Sequence, residues 1–131
     1  MTSAVAQVPA ARSDEAIAHF ERRLRVETDC ADVQQSMTEG ASDFVLLDVR
    51  GPNAFARGHV AKAHNIPHAT ITAERMAEFP SETLFVVYCA GPHCNGANRA
   101  AIRLARLGLP VKEMIGGVTG WLDEDFALET T

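Results

Sequence analysis

The chain has 131 residues, 47% of them hydrophobic, with a formal charge of −5 and a pI near 5.5. That is enough for one domain with a real core, and the acidity argues against nucleic acid or an anionic membrane as general partners. No apolar stretch reaches membrane-span length, Met1-Thr2-Ser3-Ala4-Val5 has no basic or apolar leader character, and three cysteines form no even disulfide framework, so a reducing cytoplasm with a working thiol is expected.

Residues 1–12 are Ala-rich with few large apolar groups and read as a flexible tail, leaving 13–131 as a single domain. Ser13 is placed to cap a helix with Ile17, Phe20 and Leu24 at helical spacing. Val26 is a candidate start for a short edge strand. Thr28 or Asp29 then caps a helix bearing Val33 and Met37, stopped by Gly40. Phe44-Val45-Leu46-Leu47 is a continuous apolar run, suited to a strand buried on both faces. Asp48 to Pro52 follows as a loop, and Asn53 is a candidate cap for one turn holding Phe55.

Ala63-His64-Asn65-Ile66 forms a further short strand candidate, closed by Pro67. Thr70 or Thr72 caps a helix with Met76 and Phe79 inward. A strand over 84–88, a helix over 97–107, Gly108 as its stop and a strand Val111–Ile115 complete the pattern, and Trp121 anchors a short C-terminal helix. Strands and helices alternate, and the two best strands lack polar alternation. That pattern predicts an α/β fold with a mainly parallel central sheet and helices on both faces. Ligands bind such sheets beyond the strands' carboxyl ends, so Asp48 and Cys89 are expected on one rim.

Cys89 ends the strand Leu84-Phe85-Val86-Val87-Tyr88 and precedes the loop Ala90-Gly91-Pro92-His93-Cys94-Asn95-Gly96. A thiol between a strand end and a helix N-terminus faces unpaired backbone N–H groups and a positive dipole end. Both favour the thiolate, which is the nucleophile. No acidic residue lies between Ala90 and Arg99, so this loop is expected to hold small oxyanions.

Three segments together resemble the rhodanese (sulfurtransferase) family. The first runs from Leu47-Asp48-Val49-Arg50 to Phe55, then Gly58-His59-Val60 and Ala63-His64-Asn65-Ile66-Pro67. The second is Val86-Val87-Tyr88-Cys89 with Ala100-Ala101-x-x-Leu104 and Gly108. The third is Gly116-Gly117-Val118-Thr119-Gly120-Trp121. Each motif alone is weak, but three in order over residues 44–122 are specific.

The resemblance implies a three-layer α/β domain that moves sulfane sulfur from a donor such as thiosulfate to a thiol or cyanide-like acceptor through a cysteine persulfide. It implies Cys89 as the catalytic residue, with no cofactor and no metal. The implied substrate-binding set is Gly91, His93, Asn95, Gly96, Ala97 and Arg99, whose loop N–H groups would cradle the anion. Asp48 and Arg50 would support the rim by bonding the loop backbone and each other. The expected partners are the small anionic donor and its acceptor, with no nucleic acid or membrane and a homo-oligomer as an open option.

The chain departs from the family pattern in three places. The usual loop is C-x-x-G-x-R, but the fifth residue after Cys89 is Cys94, not Arg. The loop is about two residues longer, counted against Ala100-Ala101. Ala54 stands where an acidic residue is usual. Cys94 therefore has three readings: a spectator, a resolving thiol that closes an intraloop disulfide, or the nucleophile itself. Cys94 to Arg99 is itself a C-x4-R, one residue short of the H-C-x5-R loop of tyrosine phosphatases.

Arg99 is read either as a donor ligand or as part of a solvated face with Arg103 and Arg106, opposite Ala100, Ala101, Leu104 and Leu107. His93 is an acid, a base or an anion contact, or else an exposed loop histidine; His59 and His64 read as structural. Cys89-x4-Cys94 has metal-ligand spacing, but no second Cys/His pair accompanies it, which argues against a structural zinc. The alternatives to sulfur transfer are a non-catalytic binding or redox-sensing module and a cysteine-dependent phosphatase or arsenate reductase.

Overall fold

The alternation of strands and helices closes into one parallel sheet in the computed structural model, which describes residues 1–131. Five strands, β1 (Glu27–Asp29), β2 (Val45–Asp48), β3 (His64–Asn65), β4 (Phe85–Tyr88) and β5 (Val111–Ile115), lie in the order β1-β5-β4-β2-β3. Every pairing is parallel. The central strands are the uninterrupted apolar runs, because both their faces are covered. Leu47, Phe85 and Val87 face one core with Met76, Ala97, Ala100 and Leu104. Leu46, Val86, Tyr88 and Met114 face the other with Cys30, Val33 and Trp121.

Six α-helices accompany the sheet: α1 (Ser13–Val26), α2 (Cys30–Thr38), α3 (Pro52–Arg57), α4 (Ala73–Met76), α5 (Gly96–Arg106) and α6 (Gly117–Asp123). The Asp29 side chain caps α2 by accepting from the Asp32 N–H at 2.8 Å, and Thr72 caps α4 through Arg75 N–H at 3.1 Å. Gly108, at φ +77°, turns the chain out of α5 as expected. On α5 the arginines lie outward and Ala100 and Leu104 inward.

Four expectations need correction. Ser13 is the first helical residue and does not cap α1; Arg12 takes that place without a side-chain bond. Asn53 lies inside α3, whose start is set by Gly51 and by Pro52, whose fixed φ suits the first turn. Val26 ends α1, and the edge strand begins one residue later. Leu107 sits past the last turn of α5 and is exposed rather than inward.

Helix α1 forms where its spacing places it, yet it buries nothing: Ile17, Phe20 and Leu24 remain 57%, 57% and 70% exposed. Its periodicity encodes an apolar stripe but not a surface to cover it. No helix is long and apolar enough to cross a membrane.

Candidate functional site

The carboxyl ends of β2 and β4 meet on one rim and bring Asp48 and Cys89 to the same edge. Asp48 is fully buried and fully engaged. It accepts from Arg50 Nη2 at 2.6 Å, Arg50 Nε at 3.0 Å, the Arg50 N–H at 3.0 Å and the Tyr88 hydroxyl at 2.8 Å. Arg50 also donates to the Gly58 carbonyl at 2.6 Å, and Tyr88 accepts from the Val60 N–H at 3.1 Å. Asn65 closes the clip by donating to the carbonyls of Asp48 and Arg50.

Burial opposes the Arg50 charge, but the bonds and attraction of Asp48 outweigh it and raise the guanidinium pKa. Burial, with Asp48 beside it, pushes the Tyr88 phenol upward, so the hydroxyl stays protonated as a donor. A satisfied buried network of this kind fixes one loop geometry.

The loop after β4 is a sulfur pocket. Cys89 is 6% exposed and Cys94 partly exposed, and their Sγ atoms lie 2.6 Å apart. The Cys94 N–H donates to the Gly91 carbonyl at 3.0 Å, folding Gly91 to Cys94 into a turn that returns the second thiol to the first. The backbone N–H groups of Ala90 and Gly96 act on both sulfurs and stabilise a negative charge on either.

Gly96 opens α5 directly beneath the pair. A Cβ there would lie 2.8 Å from Cys89 Sγ, 3.5 Å from Cys94 Sγ and 3.5 Å from His68 Cδ2. Only glycine lets the helix N-terminus approach the sulfurs this closely.

The charge is distributed differently from the expectation for Cys89. Burial, and then the hydrogen bond with Cys94, push the Cys89 thiol up to about 11, against the pull of the two N–H groups. The same bond lowers the Cys94 pKa, and burial opposes it less there. The thiol that is lowered is Cys94, chiefly through its hydrogen bond with Cys89 and then through the Gly96 and Ala90 N–H groups. A second thiol inside hydrogen-bond range outweighs position relative to the helix.

The other predicted residues divide. Gly91, Gly96 and Ala97 are buried against the loop; His93 and Asn95 are exposed. Arg99 is exposed and donates from Nε to Asn95 Oδ1 at 3.1 Å, so it faces back toward the loop without touching either sulfur. His59 is buried, bonded from Nδ1 to the Phe55 carbonyl at 2.8 Å and stacked on Phe55 at 3.7 Å.

Several contributors escaped the sequence reading. The N-terminus of α6 locks the back of the loop: Val118 N–H donates to the Cys89 carbonyl at 3.1 Å and Thr119 N–H to the Ala90 carbonyl at 3.0 Å. Gly117 has φ +57°, and a Cβ on it would stand 2.9 Å from Gly91 N. A Cβ on Gly91 would meet Thr119 Oγ1 at 2.6 Å. The Gly116-Gly117 pair was the available signal, since a glycine doublet after a strand marks a close backbone approach. His68 offered only its place after Pro67, at the end of β3 on the same rim. Tyr88 was masked by its apolar strand neighbours.

Comparison with known proteins agrees with this architecture. A family model described as rhodanese-like domain matches residues 29–124. The HTH-type transcriptional regulator Rv0324 of Mycobacterium tuberculosis is 38% identical over 82 residues, a match taking in 62% of this chain and 35% of the regulator. The matched region thus spans about a third of that curated relative.

The crystal structure of the BH2092 protein from Bacillus halodurans superposes with a TM-score of 0.88 at 36% identity, covering 92% of this chain and 88% of that one. Thiosulfate sulfurtransferase from Pseudomonas aeruginosa shares the fold at a TM-score of 0.67 and 22% identity, over 84% of this chain and 21% of its own. With the parallel sheet, the cysteine loop at the end of β4 and a family match across most of its length, this chain belongs to the rhodanese-like domain family.

Proposed function

We propose that the protein is a sulfurtransferase that carries sulfane sulfur as a persulfide on Cys89. The observation that carries this reading is Cys89 Sγ set against the N-terminus of an 11-residue helix, so close that a Cβ on Gly96 would stand 2.8 Å from it. That arrangement stabilises an anionic sulfur without any side-chain cation.

Cys89 gives its proton to solvent, and the Ala90 and Gly96 N–H groups stabilise the thiolate that results. The Cys89 thiolate attacks the outer sulfur of thiosulfate, the S–S bond breaks, and sulfite leaves with the bonding electrons. The persulfide then gives its outer sulfur to a thiophilic acceptor. His68 lies against the start of α5 beside the sulfurs, and the exposed Arg99 turns back toward the loop to meet Asn95, where its cation is available to an anionic donor.

The second reading makes Cys94 the nucleophile, and its lower pKa and greater exposure favour that option. Thiocyanate formation from thiosulfate and cyanide tests both. The proposal expects turnover by the wild type and loss of nearly all of it in Cys89→Ser. Turnover that survives in Cys89→Ser and disappears in Cys94→Ser assigns the sulfur to Cys94. No turnover in any form rejects sulfur transfer from thiosulfate.

A further inference from the structure

A persulfide on Cys89 would sit beside a second thiol that the sulfur-transfer cycle does not require as an acceptor. Cys94 Sγ lies 2.6 Å from Cys89 Sγ, which is the inner sulfur of such a persulfide. A disulfide bond is about 2.05 Å long, so bonding the two sulfurs needs little movement. The turn closed by Cys94 N–H to the Gly91 carbonyl holds Cys94 on the inner sulfur. Thr119 packs against Gly91 from behind, so the turn is backed by α6.

We propose that Cys94 is a resident acceptor, so that the protein converts sulfane sulfur to sulfide: the Cys94 thiolate attacks Sγ of the Cys89 persulfide, hydrosulfide leaves, and the resulting Cys89–Cys94 disulfide is reset by a dithiol reductant. This activity rests on the persulfide reading above.

The step balances. Cys94 Sγ bonds to Cys89 Sγ, the bond between Cys89 Sγ and the outer sulfur breaks, and the outer sulfur takes the bonding pair and leaves as HS⁻. The sulfane sulfur is reduced by two electrons while the two cysteines end as a disulfide. A dithiol then attacks that disulfide, becomes oxidised to its own disulfide, and returns both protein thiols. Across one cycle, thiosulfate and a dithiol give sulfite, sulfide and the oxidised dithiol.

Geometry decides between attack on the inner sulfur and attack on the outer one. Displacement at sulfur proceeds in line, so a thiolate against Sγ expels the outer sulfur on the opposite side. Attack on the outer sulfur would merely relocate it to Cys94. Persulfidation removes the Sγ proton of Cys89, and the Gly96 and Ala90 N–H groups that also favour the Cys94 thiolate remain in place. Cys30 takes no part: it is buried, with its Sγ 3.5 Å from the Ile115 carbonyl and 3.7 Å from the Gly117 carbonyl.

The test is a single turnover of reduced protein with thiosulfate, in the absence of any added thiol or cyanide. Sulfite, sulfide and intact mass are read together. The proposal expects one sulfite and one sulfide per wild-type chain. The product is lighter than the reduced chain by two hydrogens, and peptide mapping finds the Cys89–Cys94 crosslink. Cys94→Ser, or Cys94→Ala if the serine variant does not fold, is expected to release sulfite but no sulfide and to stay heavier by one sulfur atom.

Wild-type protein that stays heavier by one sulfur, with sulfite but no sulfide, overturns this inference and leaves the sulfurtransferase reading intact. Sulfide released equally by wild type and by the Cys94 variant also overturns it. If neither form releases sulfite or gains sulfur, the underlying reading itself has failed.

Discussion

Cys89 and Cys94 share a hydrogen bond, and the two N–H groups that stabilise one anion also stabilise the other. The pair therefore loses its first proton more readily than an isolated buried thiol would, and that charge rests on Cys94. Alkylation by iodoacetamide is expected first at Cys94. Its rate should rise with pH through a midpoint below the ordinary 9.0, because the bond from Cys89 favours the thiolate. Cys89→Ala removes that donor, so the Cys94 midpoint should move upward; an unmoved midpoint would show that the hydrogen bond is not its source. The sequence placed both thiols in one loop but could not assign the charge. That assignment depends on which sulfur is deeper and on a turn that brings residues five apart into contact. Neither is a property of spacing alone.

At the scale of elements, the site is a junction of three parts: the end of β4, the N-terminus of α5 and the N-terminus of α6. The first two were legible, since an apolar β-branched strand followed by a glycine loop and a helical repeat fixes their order. The third was not, because hydrogen bonds from Val118 and Thr119 to the loop carbonyls span about 29 residues of sequence.

Gly96 gives the sharpest test of this junction. Gly96→Ala improves intrinsic helix propensity by up to about 1 kcal/mol. Its Cβ would nonetheless stand 2.8 Å from Cys89 Sγ and displace the sulfur. Transferase activity should fall on the order of 10²-fold, as for other misplacements of a reacting atom by about 1 Å. The urea midpoint should change little. Equal activity in the two proteins would mean that helix approach does not position the sulfur.

For the whole molecule, the parallel sheet and its two cores follow from the pattern of β2, β4 and α5, whose residues carry their burial in their sequence. Helix α1 shows the opposite case. Its stripe reads as core-facing, but the sheet ends at β1 and leaves Ile17, Phe20 and Leu24 mostly exposed. Partial burial of three such side chains contributes roughly 2–3 kcal/mol at most. A chain beginning at Glu27 is therefore expected to unfold cooperatively within about 2 kcal/mol of the full-length protein in urea. A much larger loss would show that α1 supports the edge strand.

On the proposed mechanism Cys89 is the sulfur that opens thiosulfate. The most direct test is rapid mixing of each reduced protein with excess thiosulfate, with sulfite measured in the first turnover. Sulfite is formed when the persulfide forms, whatever happens to the sulfur afterwards. The predicted result is one sulfite per chain from the wild type and from Cys94→Ser, and none from Cys89→Ser. A full sulfite burst from Cys89→Ser would contradict the claim.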